Sequence, residues 1–227
     1  MLMDANLMLK RLSLRNFAIC LGLCAVLALA LVPVAWAEGM LNAAPAPAAL
    51  RNYPSGAAPC NTTLQACISG SNPGDIVNVA ADTYITGLLV ITKALTLQGA
   101  GGGPANTVLL PDSSHGILSI NSGIAAGVVI SNLSVFSGTA ANGGGIISGG
   151  GSPLTLQNVD VMSNTASSGG GIFAGAAVTL TSVNLVNNIA NAVGGGLRAN
   201  STALSTAAAP SATARSMEAA PSRQTAL

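Results

Sequence analysis

The apolar residues between positions 128 and 185 recur in three sets that share one spacing. In each set the second apolar residue comes two positions after the first, the third comes three later and the fourth two later. The sets are Val128, Ile130, Leu133 and Val135; Leu154, Leu156, Val159 and Val161; and Val178, Leu180, Val183 and Leu185. Steps of two predict β-strands, because successive side chains of a strand point to opposite faces. The step of three predicts a corner, after which the same side of the chain still faces inwards.

Glycine triplets mark the same period. They fall at Gly143, Gly144 and Gly145, at Gly169, Gly170 and Gly171, and at Gly194, Gly195 and Gly196, in steps of 26 and 25 residues. The segments 164–166 (Asn-Thr-Ala) and 188–190 (Asn-Ile-Ala) precede the later two triplets in one register. Because Asn and Gly tolerate left-handed turn conformations, we expect turns of the repeat at the glycine triplets.

A unit of about 25 residues with short strands cannot bury a core alone, whereas stacked coils can. The period therefore predicts an all-β fold, a right-handed parallel β-helix of about five coils over residues 60–200. Propellers and leucine-rich repeats need other repeat frames. Asn132 and Asn158 share a register that Ser182 breaks. We expect the stacked Asn side chains to hydrogen-bond between coils, which is a structural role.

A short helix is predicted just before the first strand. Residues 62–69 place Leu64, Cys67 and Ile68 on one face, with Asn61 or Thr62 as N-cap. This helix would cover the N-terminal end of the β-helix and its open strand edges.

Cys60 and Cys67 form either a disulfide or two free thiols. A bridge requires Cys60 to precede the helix, since seven helical residues separate Cα atoms by about 10 Å.

The first 37 residues have the pattern of a secretory signal peptide. Lys10, Arg11 and Arg15 precede an uncharged apolar run at 17–34, and Ala-Trp-Ala at 35–37 predicts cleavage after Ala37. An uncleaved signal anchor is the alternative. Residues 38–59 are rich in Ala and Pro and are predicted to be a linker. These features predict a secreted or cell-surface protein that meets the membrane only through its signal segment.

The periodicity stops after Asn200, so residues 201–227 are predicted to be a disordered, low-complexity tail. A frameshift is a sharper hypothesis. Read from the third base, the codons of Met217 and Glu218 give GGA, a glycine codon, whatever codons the gene uses. The following triplets permit two more glycines, and the preceding ones permit Ile-Ser-Asn. A frameshift near residues 201–205 would therefore have truncated a longer β-helix protein.

Few residues are available for chemistry. After removal of residues 1–37, five Lys and Arg face six Asp and Glu, a net charge of −1 and no basic face for nucleic acid. Asp160 is the one acid of the aligned coils, where Ser134 and Asn184 are its equivalents. Asp112 and His115 resemble half of a catalytic triad, but a polar turn explains them better. A single His disfavours a zinc site. We therefore predict no catalytic, cofactor-binding or metal-binding residues.

The segments 63–68, 73–80 and 91–101, together with Tyr84, resemble the N-terminal region of pectin-lyase-like β-helix proteins. The Gly-Gly-Gly-Ile and Asn-x-Ala patterns are similar to repeats of bacterial surface and polymorphic-outer-membrane-type proteins. The resemblance implies a non-enzymatic role in adhesion, recognition or surface architecture, with a polysaccharide or a cell-surface partner. The alternative it implies is a fragment of a polysaccharide lyase or hydrolase that lacks its catalytic coils. A truncated product without function is a third hypothesis.

Overall fold

The computed structural model describes residues 48–206, which form one helix and a series of short strands. The helix α1 spans Leu64–Gly70, and a 3-10 turn spans Pro104–Asn106. In chain order the strands are β1 Leu50–Tyr53, β2 Ile76–Val79, β3 Asp82–Thr86, β4 Leu89–Ile91, β5 Thr96–Gly99, β6 Thr107–Pro111, β7 Leu118–Ile120, β8 Val128–Phe136, β9 Thr139–Asn142, β10 Ile146–Ser148, β11 Leu154–Met162, β12 Thr165–Ser168, β13 Ile172–Ala174, β14 Val178–Val186, β15 Ile189–Val193, β16 Leu197–Ala199 and β17 Ala203–Thr206.

The strands stack into three parallel sheets, and each strand pairs with its equivalent in the next coil. The largest sheet has the order β1-β2-β5-β8-β11-β14-β17 with β3 and β6 beside it, the second β16-β13-β10-β7-β4, and the third β15-β12-β9. This confirms the predicted all-β parallel solenoid with a short N-terminal helix, built from about six turns. The expected count of five was low because β1 and β17 extend the stack at its two ends.

Both added strands fall outside the predicted repeat region. Residues 50–53, placed in the Ala/Pro-rich linker by the sequence, pair with β2 from Leu50↔Ile76 to Tyr53↔Val79. Residues 203–206, placed in the tail, pair with β14 from Val178↔Ala203 to Thr181↔Thr206. Parallel pairing needs only an extended chain at one coil's spacing, so it tolerates a composition that lacks the repeat's apolar pattern.

The strands β8, β11 and β14 each bend at one residue in the left-handed conformation. These residues are Asn132, Asn158 and Ser182, with φ of 54°, 53° and 53°. They are the extra residues of the three-residue steps, so the predicted corner is confirmed. The bend divides the largest sheet into two faces. The front face consists of β1, β2, β5, β17 and the residues before the bends, and the side face consists of β3, β6 and the residues after them.

The core runs along the axis of the solenoid as columns of aliphatic side chains. Leu133, Val135, Val159 and Val161 all have 0% exposure, and the third sheet adds the buried Ala166. Each coil therefore buries its apolar residues against the coils before and after it, as a solenoid requires.

The helix α1 closes the N-terminal end of this core. It buries Leu64, Cys67 and Ile68, as the apolar spacing predicts. Its N-cap is Thr63, whose hydroxyl accepts a hydrogen bond from the Ala66 amide, rather than the expected Asn61 or Thr62. In residues 48–206 no helix has the length and hydropathy to cross a membrane. The predicted signal peptide, its cleavage after Ala37 and most of the tail lie outside the described residues.

Candidate functional site

The glycine triplets form turns whose first residue has a positive φ. Gly143, Gly169 and Gly194 have φ of 60°, 61° and 68°. The second and third glycines have a different cause, which is the lack of space between coils. A Cβ at Gly144 would lie 2.5 Å from both Gly170 O and Thr165 O. A Cβ at Gly171 would lie 2.6 Å from Gly196 O. The triplets are therefore packing elements, and nothing in them forms a cradle for a ligand.

A buried Asn ladder packs against these glycines. Asn164 is fully buried, and its Oδ1 accepts the Gly138 amide at 2.8 Å while its Nδ2 donates to Val135 O at 3.1 Å. The same Nδ2 donates to Asn188 Oδ1 at 3.0 Å, and Asn188 Nδ2 donates to Val161 O at 2.7 Å. These amides join successive coils from the inside, so their role is structural.

A second Asn ladder lies at the outer corner. Asn158 Nδ2 donates to Asn132 Oδ1 at 2.8 Å, as expected from their shared register. Ser182 occupies the next rung with the same positive φ. The outer pair therefore combines turn formation with one hydrogen bond between coils.

The two cysteines meet at the capped end. Cys60 precedes α1, and the structure joins it to Cys67 with Cα atoms 4.2 Å apart. Both side chains are buried in the core, at 4% and 0% exposure. The bridge ties the chain before the helix to the helix face that covers the first coil.

An ion pair that the sequence did not indicate joins β1 to the first coil. Asp75 is buried and accepts hydrogen bonds from Arg51 Nε at 2.6 Å, Ala49 N at 2.9 Å and Asn72 N at 2.8 Å. Burial raises the pKa of the Asp75 carboxyl, but the bonds from Arg51, Asn72 and Ala49 outweigh burial and hold that pKa below its ordinary value. A charged Asp75 therefore fastens β1 to the first coil.

A signal for β1 was present in the sequence. Asn52 lies 26 residues before Asn78, which is one coil, and the two side chains bond at 2.9 Å. No sequence pattern indicated the ion pair. Arg51 and Asp75 are 24 residues apart, and only the pairing of β1 with β2 brings them together.

Asp112 and His115 do contact each other, in the turn after β6. His115 Nε2 lies 2.6 Å from Asp112 Oδ1, and His115 Nδ1 lies 2.6 Å from Gly116 O. Since both partners are acceptors, both ring nitrogens can donate only in the protonated ring. The Gly116 carbonyl first, and then the Asp112 carboxylate, raise the pKa of His115, while His115 lowers the pKa of Asp112. In this arrangement both ring nitrogens of His115 are bonded within the turn.

The other acids do not converge. Asp160 Oδ1 accepts a bond from Asn184 Nδ2 at 2.6 Å on the side face, and Asp82 binds the neighbouring Thr83 amide. Among residues 48–206 no three His, Cys, Asp or Glu side chains are grouped to hold a metal ion.

Two grooves lie on the surface of residues 48–206. One, of about 370 Å³, separates α1 from β3 and includes the tilted ring pair of Tyr53 and Tyr84, with centroids 5.6 Å apart. The other, the side-face groove, has about 380 Å³ and an apolar floor that includes Val108, Leu110 and Phe136. The 3-10 turn forms its wall, held by a bond from Ser134 Oγ to Pro104 O at 2.9 Å.

No protein family, curated protein or solved structure matches the chain. The parallel solenoid architecture therefore rests on the structure itself.

Proposed function

We propose that the protein is an extracytoplasmic β-helix repeat protein of bacterial origin with a non-enzymatic role in recognition or surface architecture. The observation that carries this proposal is the arrangement of the titratable groups in the described coils. Asp75 forms an ion pair with Arg51, and both ring nitrogens of His115 are bonded. Glycoside hydrolysis by carboxylates uses two acids that flank one bond. In residues 48–206 each acid is instead bonded to a partner of its own: Asp75 to Arg51, Asp82 to Thr83, Asp112 to His115 and Asp160 to Asn184.

Three features support the extracytoplasmic setting. The first 37 residues have the order of a signal peptide. The Cys60–Cys67 bridge suits an oxidising compartment. The glycine and Asn-x-Ala patterns resemble bacterial surface repeats, including the polymorphic-outer-membrane type, and the N-terminal region resembles pectin-lyase-like proteins. A polysaccharide or a cell-surface molecule is the partner class that this resemblance implies.

Expression of the tagged full chain in a bacterial host tests the setting. We expect the protein in the periplasmic, surface or medium fraction with residues 1–37 removed, as measured by fractionation and N-terminal sequencing. Cytoplasmic protein with an intact N-terminus would contradict the proposal.

An activity assay tests the non-enzymatic role. The purified chain is incubated with pectic substrates with and without calcium, and unsaturated and reducing products are measured. We expect no product. Product formation would replace the proposal with the alternative of a polysaccharide lyase or hydrolase fragment.

A further inference from the structure

The outward positions of the side face form a column of apolar side chains along the solenoid. Ile85 pairs with Leu110, and Phe136 pairs with Met162, which pairs with Val186. Leu110 follows Leu109, the partner of Val135, and so continues the column to Phe136. Ile85 is 72% exposed and the other four are partly exposed. One apolar residue in each of five coils makes a continuous exposed stripe, which marks an interaction surface.

The front face shows that this stripe is not a general property of the sheet. One of its two outward columns is polar at every rung and consists of Asn52, Asn78, Gln98, Ser131, Gln157, Thr181 and Thr206. The other mixes apolar and polar residues: Leu50, Ile76, Thr96, Val129, Thr155, Thr179 and Leu204. The side-face stripe differs from both because it is apolar at every rung. Water solvates the side chains of the polar column, whereas covering the apolar column with a partner is favourable because it removes apolar surface from water.

Asp160 is the one charged residue at the outward positions of the side face in residues 48–206, and its Oδ1 accepts a bond from Asn184. Asp82, on β3, lies at an inward register, because it pairs with the buried Thr107. Elsewhere in residues 48–206, Arg51 is paired with Asp75, Lys93 donates to Ser69 O and Ser71 O, and Arg198 lies over the Phe173 ring. Asp160 also lines the side-face groove. Asp160 therefore favours a partner that has an apolar stripe with a cationic group beside it.

The spacing of the stripe fits a helix. Adjacent coils lie about 4.8 Å apart, so five rungs span about 19 Å. An α-helix places an apolar residue on one face about every 5.4 Å, and about 13 residues cover the same length. Saccharide binding fits less well, because Phe136 is the one aromatic ring of the stripe and the Ser134 hydroxyl and Asn184 amide are already bonded within the protein.

We propose that the side face binds a cationic amphipathic helix of a partner protein, laid along the solenoid axis over Ile85, Leu110, Phe136, Met162 and Val186. Leucine-type side chains of the helix occupy the side-face groove, and a Lys or Arg lies beside Asp160. This inference names a partner class for the proposed recognition role and rests on it, although its test uses purified protein only.

The test uses a fluorescent synthetic peptide of about 15 residues, with Leu on one helical face and Lys on the other. A matched peptide carries Glu in place of Lys. Binding to the purified chain is followed by fluorescence anisotropy at two salt concentrations. We expect the Lys peptide to bind at least about tenfold more tightly than the Glu peptide, with weaker binding at high salt.

Variants locate the site. We expect the double change Phe136→Ser and Met162→Ser to weaken binding about tenfold or more, and Asp160→Asn to weaken it about threefold and reduce its salt dependence. The matched control, Val129→Ser with Thr179→Ser, alters outward residues of the front face and leaves binding unchanged. Circular dichroism checks that each variant is folded.

Equal binding of the two peptides overturns the proposal, as does unchanged binding by the Phe136 and Met162 double variant. Displacement of the Lys peptide by a neutral oligosaccharide would assign the face to saccharides and also overturn it. None of these results alters the export and activity assays, so failure here is distinct from failure of the proposed function.

Discussion

Two consecutive coils share one repeat pattern and differ in what lies above them. The coil at 154–177 is covered on both sides, whereas within residues 48–206 the coil at 178–202 is followed only by the short strand β17. Val159 and Val161 are fully buried, while their equivalents Val183 and Leu185 are partly buried. Equivalent positions therefore contribute unequally to the stability of a solenoid, because each residue's contribution depends on the presence of a neighbouring coil.

The second glycines of the triplets give the largest expected contrast. A Cβ at Gly170 would collide with the carbonyl oxygens of Ile189 and Gly195, whereas at Gly195 the nearest atom is Asn188 O at 2.9 Å. Backbone atoms cannot move aside cheaply, so we expect Gly170→Ala to lower the free energy of unfolding by about 3 kcal/mol or more. Gly195→Ala should lower it by about 1 kcal/mol. Urea denaturation measures both, and equal losses would show that covering by the next coil is unimportant.

The inner Asn ladder gives the next contrast. Asn164→Ala leaves the Gly138 amide and the Val135 carbonyl without their bonds in a dry interior. We expect a loss of about 3 kcal/mol in the free energy of unfolding. Asn188 is partly exposed, and water can replace some of its bonds, so Asn188→Ala should lose about half as much. Thermal denaturation followed by circular dichroism compares them, and a larger loss at Asn188 would contradict this account.

The sequence predicted the coil well because local spacing encodes it. Steps of two and three determine which side chains face inwards and where Asn158 turns the corner. The contacts between coils were less predictable. The second and third glycines of the first two triplets are required by carbonyl oxygens of the next coil, and Arg51 meets Asp75 only because β1 pairs with β2. The apolar stripe had a visible signal, since Phe136, Met162 and Val186 each follow the last inward residue of a set.

The two ends of the solenoid extend the comparison. The first coil is closed by α1 and the Cys60–Cys67 bridge, whereas β17 is the edge strand of the sheet that residues 48–206 form, and its Leu204 is 57% exposed. Replacing both cysteines by Ala should lower the free energy of unfolding by about 2 kcal/mol through lost loop closure. Leu204→Lys removes no buried contact and should change it by less than about 0.5 kcal/mol. Denaturant titration of oxidised protein tests this, and a larger loss from Leu204→Lys would mean that the open end is covered.

The turn of Asp112 and His115 gives the smallest effect, because it is a partly exposed contact within one coil. The pKa of His115 is raised in the folded state, so its stabilising contribution is complete below the unfolded pKa of about 6.5. That contribution is lost as the pH rises through the higher folded pKa. The pKa of Asp112 is lowered, so the carboxylate contribution is present above its unfolded pKa and disappears in acid as the pH falls through the folded one. The ion pair therefore stabilises the fold fully in the mildly acidic range, above the unfolded pKa of Asp112 and below the unfolded pKa of His115.

His115→Gln should remove this pH dependence while retaining a side chain that can bond to Asp112. We expect the wild-type chain to lose stability relative to His115→Gln as the pH rises from about 6 to about 8. The readout is the difference in their melting temperatures at each pH. A constant difference would show that folding does not shift the pKa of His115. Because His115 O also accepts the Thr139 amide of the next coil at 2.9 Å, a measurable slope would mean that a contact inside one coil affects the stability of the stack.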